Sequence, residues 1–226
     1  PEEVKCLLPK SIDCMERAFD IFQEASATEK YFADEMSHDD ESAIQQKRIL
    51  LYSAFLLPFV GAEEVQLSSR RKSRSVEKVD EVTKSVLVYK LKLRLKDAVR
   101  AHLLHWTAES FLVQAERIGA KGRAEIGLIL RKSGEINWKL GIVLAMVLSP
   151  SEDGRKRLTD LVGYIEKEDL IGVWNLKPFL NGKDLMEVFG KLKRGPNCRK
   201  ILDFEMEAML NHPNKGKQEI EELLRA

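Results

Sequence analysis

Apolar residues in this sequence recur at intervals of three and four along nearly its whole length, and that spacing leaves little choice of fold class. In residues 97–118, Leu104, Ala108, Phe111, Ala115 and Ile118 step by four and three, while Arg100, Glu109, Glu116 and Arg117 fall off the stripe. At 3.6 residues per turn the five apolar side chains share one face, so the segment predicts an amphipathic helix. Ile12, Met15, Ala18, Phe19 and Phe22 predict another over residues 11–25, with Ser11 as its N-cap. A helix over 42–57 ends at Pro58, because the residue before a proline avoids helical geometry. Further helices are expected over 76–88, 123–132, 135–148, 154–167, 196–211 and 217–225. Gly119 and Gly122 separate two of them, and Pro150 and Pro213 prevent continuation of two others. Residues 85–95 also alternate in a strand-like way, with Leu91, Leu93 and Leu95 between Lys92, Arg94 and Lys96, but the stretch is read as helix. No second stretch offers it a strand partner and no fixed-period repeat is present, so the expected fold is all-α and multi-helix.

A chain of 226 residues, 44% hydrophobic and 32% charged, can bury a sizeable core and is not of disordered composition. The net charge of +1 makes no demand for nucleic acid, but the charge is unevenly placed. Arg70, Arg71, Lys72 and Arg74 form one basic cluster; Lys90, Lys92, Arg94, Lys96 and Arg100 form another; residues 34–41 are acidic. Local patches, rather than the total, set an electrostatic footprint. Cys6, Cys14 and Cys198 are odd in number and lack CxxC spacing, which fits a reducing, intracellular compartment and points to no zinc site. Mitochondrial, cytosolic and nuclear placement stay open. The longest apolar run, 141–148, is far short of the roughly 20 residues a membrane span needs. The chain starts at Pro1 without a methionine, which fits a piece of something longer.

Residues 177–200, KPFLNGKDLMEVFGKLKRGPNCRK, hold two helix starts flanked by cations. Asn181 is placed as an N-cap with Asp184 three residues on to complete a capping box, and Gly190 ends that helix. Gly195 and Pro196 open the next one with a tight turn and a proline at the first helical position. The backbone N–H groups of Asn197 and Cys198 then point out of the helix beside Lys193, Arg194, Arg199 and Lys200. Free amides, the positive end of a helix dipole and cationic side chains together predict phosphate contact.

The pattern KPxLxGxDLM, then G, then GP, with a closing acidic helix and LNHP near the end, resembles the C-terminal segment of CCA-adding tRNA nucleotidyltransferases. The likeness is densest over 176–224 and looser from about residue 50, where ILLYSAFLLPF and SVLVYKLKLRLK are similar to the helical body of eukaryotic members. Arg199 stands where many bacterial members carry glycine. The resemblance implies a neck and body start over 1–60, a linker or exposed loop over 61–75, a body over 76–170 and a tRNA-contacting tail over 171–226. It implies addition of CCA to the tRNA 3′ end from CTP and ATP with Mg2+, in a catalytic head that this chain lacks: no DxD pair on a glycine-rich turn is present. Glu152 and Asp153 are followed by Gly154, Arg155 and Lys156, out of register with the family's EDxxR motif. The implied partner is the acceptor and TΨC arms of tRNA. The tail contacts expected are Lys177, Asn181, Lys183, Lys193, Arg194, Gly195, Arg199 and Lys200, with Lys92, Arg94, Lys96 and Arg100 in the body. The chain is expected to hold no cofactor and to meet no membrane.

Other readings compete. His38–Asp39 has the dyad of an HD phosphohydrolase but no ligands at matching spacing, and a solvated acidic loop explains it. His102 and His105 share a helix face without a third ligand, which favours packing. Trp106, Trp138 and Trp174 are not interleaved with arginine, so core roles are expected in place of base stacking. A helical protein-interaction module and the C-terminal region of a related polyadenylating enzyme stand as the two alternatives.

Overall fold

The computed structural model describes residues 2–28, 41–60, 81–117, 122–181, 184–186 and 196–225. Among the described residues every regular element is helical. In order they are α1 (Glu2–Thr28), α2 (Glu41–Leu56), α3 (Glu81–Lys84), α4 (Leu95–Ala115), α5 (Arg123–Ser133), α6 (Asn137–Leu148), α7 (Glu152–Lys167), α8 (Pro196–Asn211) and α9 (Lys217–Arg225). From α4 onward their bounds follow the apolar spacing to within a few residues. The expected linker at 61–75 and the first residues of the helix expected over 76–88 lie outside the described residues. The chain divides into two compact units: 1–116 with 136–160, and 117–135 with 161–226.

In the first unit α4 packs on α2 and α6, and α1 on α2 and α6. Leu104, Ala108 and Phe111 on α4 are fully buried, as are Leu140, Val143 and Leu144 on α6. Close approach of these two helices depends on Gly141. A Cβ there would meet Thr107 Cβ at 3.0 Å and Phe111 Cε2 at 3.6 Å. Arg17 ties α1 to the end of α6 by donating from Nη1 to the Val147 carbonyl at 3.0 Å.

One expectation in this unit is corrected. Ser11 is not an N-cap: α1 begins at Glu2 and runs past Pro9, and the buried Ser11 hydroxyl donates to the Leu7 carbonyl at 3.0 Å. A serine inside a helix satisfies its hydroxyl on the preceding turn in this way. The stretch over 85–95, read as helix despite its alternation, is helical over 85–90 and breaks at 91–94. α3 continues as a π-helix over Ser85–Lys90, with Leu91 N–H donating to the Val86 carbonyl at 2.9 Å. The wider turn brings Leu87 into a core with Leu56, Ala98 and Ala101, and leaves Tyr89 and Leu91 exposed. Lys92 then takes φ 56, Arg94 is extended, and α4 starts at Leu95.

In the second unit α5 packs on α8 and on the 3₁₀ turn Val173–Asn175, and α8 packs on α9. Gly127 faces Leu210, whose Cδ2 would lie 2.8 Å from an added Cβ. Arg123 donates from Nε to the Leu210 carbonyl at 2.7 Å, and Arg131 from Nη1 to the Leu176 carbonyl at 2.9 Å. Two arginines of one helix therefore fix the end of α8 and the start of the KPFLN segment. Among the described residues no helix is long and apolar enough to cross a membrane.

Candidate nucleic-acid interface

The KPFLN segment leaves the 3₁₀ turn in extended geometry and carries Lys177 and Phe179 outward and Leu180 inward. At its end the capping box forms as the sequence predicts. Asn181 N–H donates to Asp184 Oδ2 at 3.0 Å, and Asp184 N–H donates to Asn181 Oδ1 at 3.2 Å. Two amides at the helix start are satisfied by this exchange. Asp184 also pairs with Lys217 at 3.5 Å on a partly exposed surface. The Asn181 N–H first, and Lys217 after it, hold the Asp184 carboxyl below the usual aspartate range.

The residue that anchors this segment is Glu205 on α8, which is 0% exposed. Its Oε1 accepts the Leu180 N–H at 2.8 Å. Burial pushes the Glu205 carboxyl up, against the opposing pull of the Leu180 and Phe179 N–H groups and Lys217. A buried carboxyl group that receives backbone amides locks loop to helix, because each amide would otherwise lie in the interior without an acceptor. Sequence reasoning missed Glu205, although its position was informative. It sits three residues after Leu202 and four before Met209, a charge in the middle of an apolar stripe.

Around this frame the cations are distributed unevenly. Lys177, Arg199 and Lys200 are exposed, the latter two in the first turns of α8, which begins at Pro196 as expected. Lys183, Lys193, Arg194 and Gly195 lie outside the described residues, as does Gly190. In the first unit Lys92, Arg94 and Lys96 are exposed where the π-helix gives way to α4. Arg100 differs from them: it is half-buried, and its Nε donates to Asn137 Oδ1 at 2.7 Å. Burial lowers its pKa, with nearby Asp97 acting in the other direction. Its position makes it a tie between α4 and α6 before anything else.

The remaining candidates resolve into packing or fall elsewhere. His105 is 3% exposed with Nε2 2.8 Å from the Ser53 carbonyl oxygen, so it faces the core. Trp138 is buried, and Trp106 and Trp174 are half-buried. Cys14 is buried, and that burial raises its thiol pKa. His38, Asp39 and the 70–74 cluster lie outside the described residues. Among the described residues no group of three or more His, Cys, Asp or Glu is placed to hold a metal ion. Comparison of the chain with protein-family models, with characterised proteins and with solved structures gives no match.

Proposed function

We propose that this chain is the tRNA-binding body and tail of a CCA-adding tRNA nucleotidyltransferase. The observation that carries the reading is the capping pair of Asn181 and Asp184, formed inside the KPFLNGKDLM motif and braced by Glu205. Lys177 is exposed just before that pair, and the start of α8 bears exposed Arg199 and Lys200. The positive end of a helix dipole favours an anion and neighbouring cations add attraction, which is the phosphate-binding arrangement proposed for the start of α8. Such contacts read shape and charge and not sequence, which is what a protein serving every tRNA requires. In this reading the tail residues hold the TΨC end of the acceptor arm, and Lys92, Arg94 and Lys96 follow the backbone from the body. Mg2+, CTP and ATP belong to a catalytic head, and no step of the chemistry is assigned to this chain.

The test is charge reversal at the tail. Arg199→Glu with Lys200→Glu weakens tRNA binding and lowers the slope of log affinity against log salt by about one for each phosphate that the protein no longer neutralises. Unchanged affinity and slope would remove these residues from the interface.

One observation favours a second reading, that of a protein-interaction module. Leu8, Ile12 and Phe19 recur on one side of α1 and are 48%, 42% and 48% exposed. Contiguous exposed apolar side chains are a mark of a docking face. A partner bound independently of salt, with no affinity for tRNA, would select it.

A further inference from the structure

Within the second unit, between the 3₁₀ turn, the KPFLN segment and the turn after α8, lies a cleft of about 440 Å³. Phe179 and Ile171 on its wall are 41% and 37% exposed, although both are large and apolar. Leu176 and Leu210 line it further in, and Leu210 is 1% exposed. Two cations, Lys215 and Arg123, also line the cleft, with Asp169 beside them. Arg123 is committed to the frame by its bond to the Leu210 carbonyl and by Glu168 at 3.9 Å, which leaves Lys215 as the cation that can turn toward a ligand. The shape is built in, since Gly172, at φ 92, turns the chain between Ile171 and Val173. The lining therefore combines half-exposed Phe179 and Ile171 with the cation of Lys215.

Few ligand chemistries use both. A free phosphate would meet the cation and leave Phe179 and Ile171 in water. An aliphatic side chain would cover the apolar wall and leave the cation idle. A nucleotide of single-stranded RNA offers a flat base and a phosphate within one unit of chain. Unstacked bases are bound in this way, on aromatic faces with cations at the backbone. Phe179 also lies two residues from both Lys177 and Asn181, which sets this wall of the cleft beside residues of the backbone-binding reading.

We infer that this cleft takes one unpaired nucleobase from a loop of the bound RNA, stacked on the Phe179 ring with its phosphate against Lys215. The inference rests on the tRNA-binding reading and adds a loop-specific contact to its backbone contacts. It is tested with the full chain and two RNAs that share one stem: a minihelix of acceptor and TΨC arms with its loop, and the same stem as a blunt duplex. Phe179→Ala lowers affinity for the looped RNA about tenfold, in line with the loss of one base stack, and leaves the blunt duplex unchanged. Phe179→Trp restores the looped RNA, which a merely misfolded tail would not allow. Equal weakening on both RNAs, or no effect on either, overturns the base pocket while leaving backbone binding intact. If the unsubstituted chain binds neither RNA, the tRNA-binding reading and the pocket fall together.

Discussion

Two carboxyl groups of the tail titrate with opposite consequences, and their difference follows from where each sits. Glu205 is buried, so its protonated form is favoured in the folded chain. Its contribution to stability is complete below the ordinary glutamate range and fades as pH rises through its raised folded value. Asp184 is held down by the Asn181 N–H and by Lys217, so its contribution is present above the ordinary aspartate range and is lost as pH falls through its depressed value. Thermal melts across pH check both: Glu205→Gln flattens the decline from acid toward neutral pH, and Asp184→Asn flattens the loss on the acid side. Removing the acceptor is a separate matter. Glu205→Ala leaves the Leu180 N–H buried and unsatisfied, at a cost of about 1–3 kcal/mol in chemical denaturation. The cap at Asn181 was legible because an Asn and an Asp three apart at a helix start need only local geometry. Glu205 was half legible: its place in an apolar stripe marked it as unusual, but its partner is 25 residues away in sequence, and no local rule points there.

At the scale of elements, the packing of α4 on α6 is set by one glycine. Gly141→Ala drives a methyl into Thr107, which is 0% exposed and has no room to yield. The expected loss is about 1–3 kcal/mol, the usual effect of overpacking. Thr107→Ser removes the obstructing methyl while keeping a hydroxyl for the Leu103 carbonyl, so Gly141→Ala made in that background recovers part of the loss. Full loss in both backgrounds would show that the contact is not the cause. Helix existence was readable from periodicity, yet two details were not. Ser11 has the residue type of a cap, and only the turn before it, with Pro9 inside the helix, makes it a mid-helix residue. The Lys–Leu alternation at 91–96 falls on the connection after the π-helix and the first turn of α4, where Leu91 and Leu95 are exposed and Leu93 is half-buried. Neither the π-turn nor this break leaves a mark in the apolar spacing.

For the whole molecule, the all-α class followed from spacing, while the assembly of two units did not. Residues 123–133 read in sequence with 76–170, but they pack in one unit with 161–226 through Gly127 against Leu210 and Arg131 on Leu176. Pairings of this range depend on shape matching between distant segments and leave no local signal. The exposure of Lys177, Arg199 and Lys200 fits their charge, whereas the cleft beside Phe179 was invisible in the sequence, since its walls come from separate stretches of chain. The central claim is that the chain grips the backbone of the acceptor arm, and one measurement addresses it directly. Binding of the full chain to intact tRNA and to a minihelix of acceptor and TΨC arms is measured at two salt concentrations. The account predicts equal affinities for the two RNAs, both falling steeply as salt rises. Binding to neither RNA, or binding that salt leaves unchanged, would contradict it.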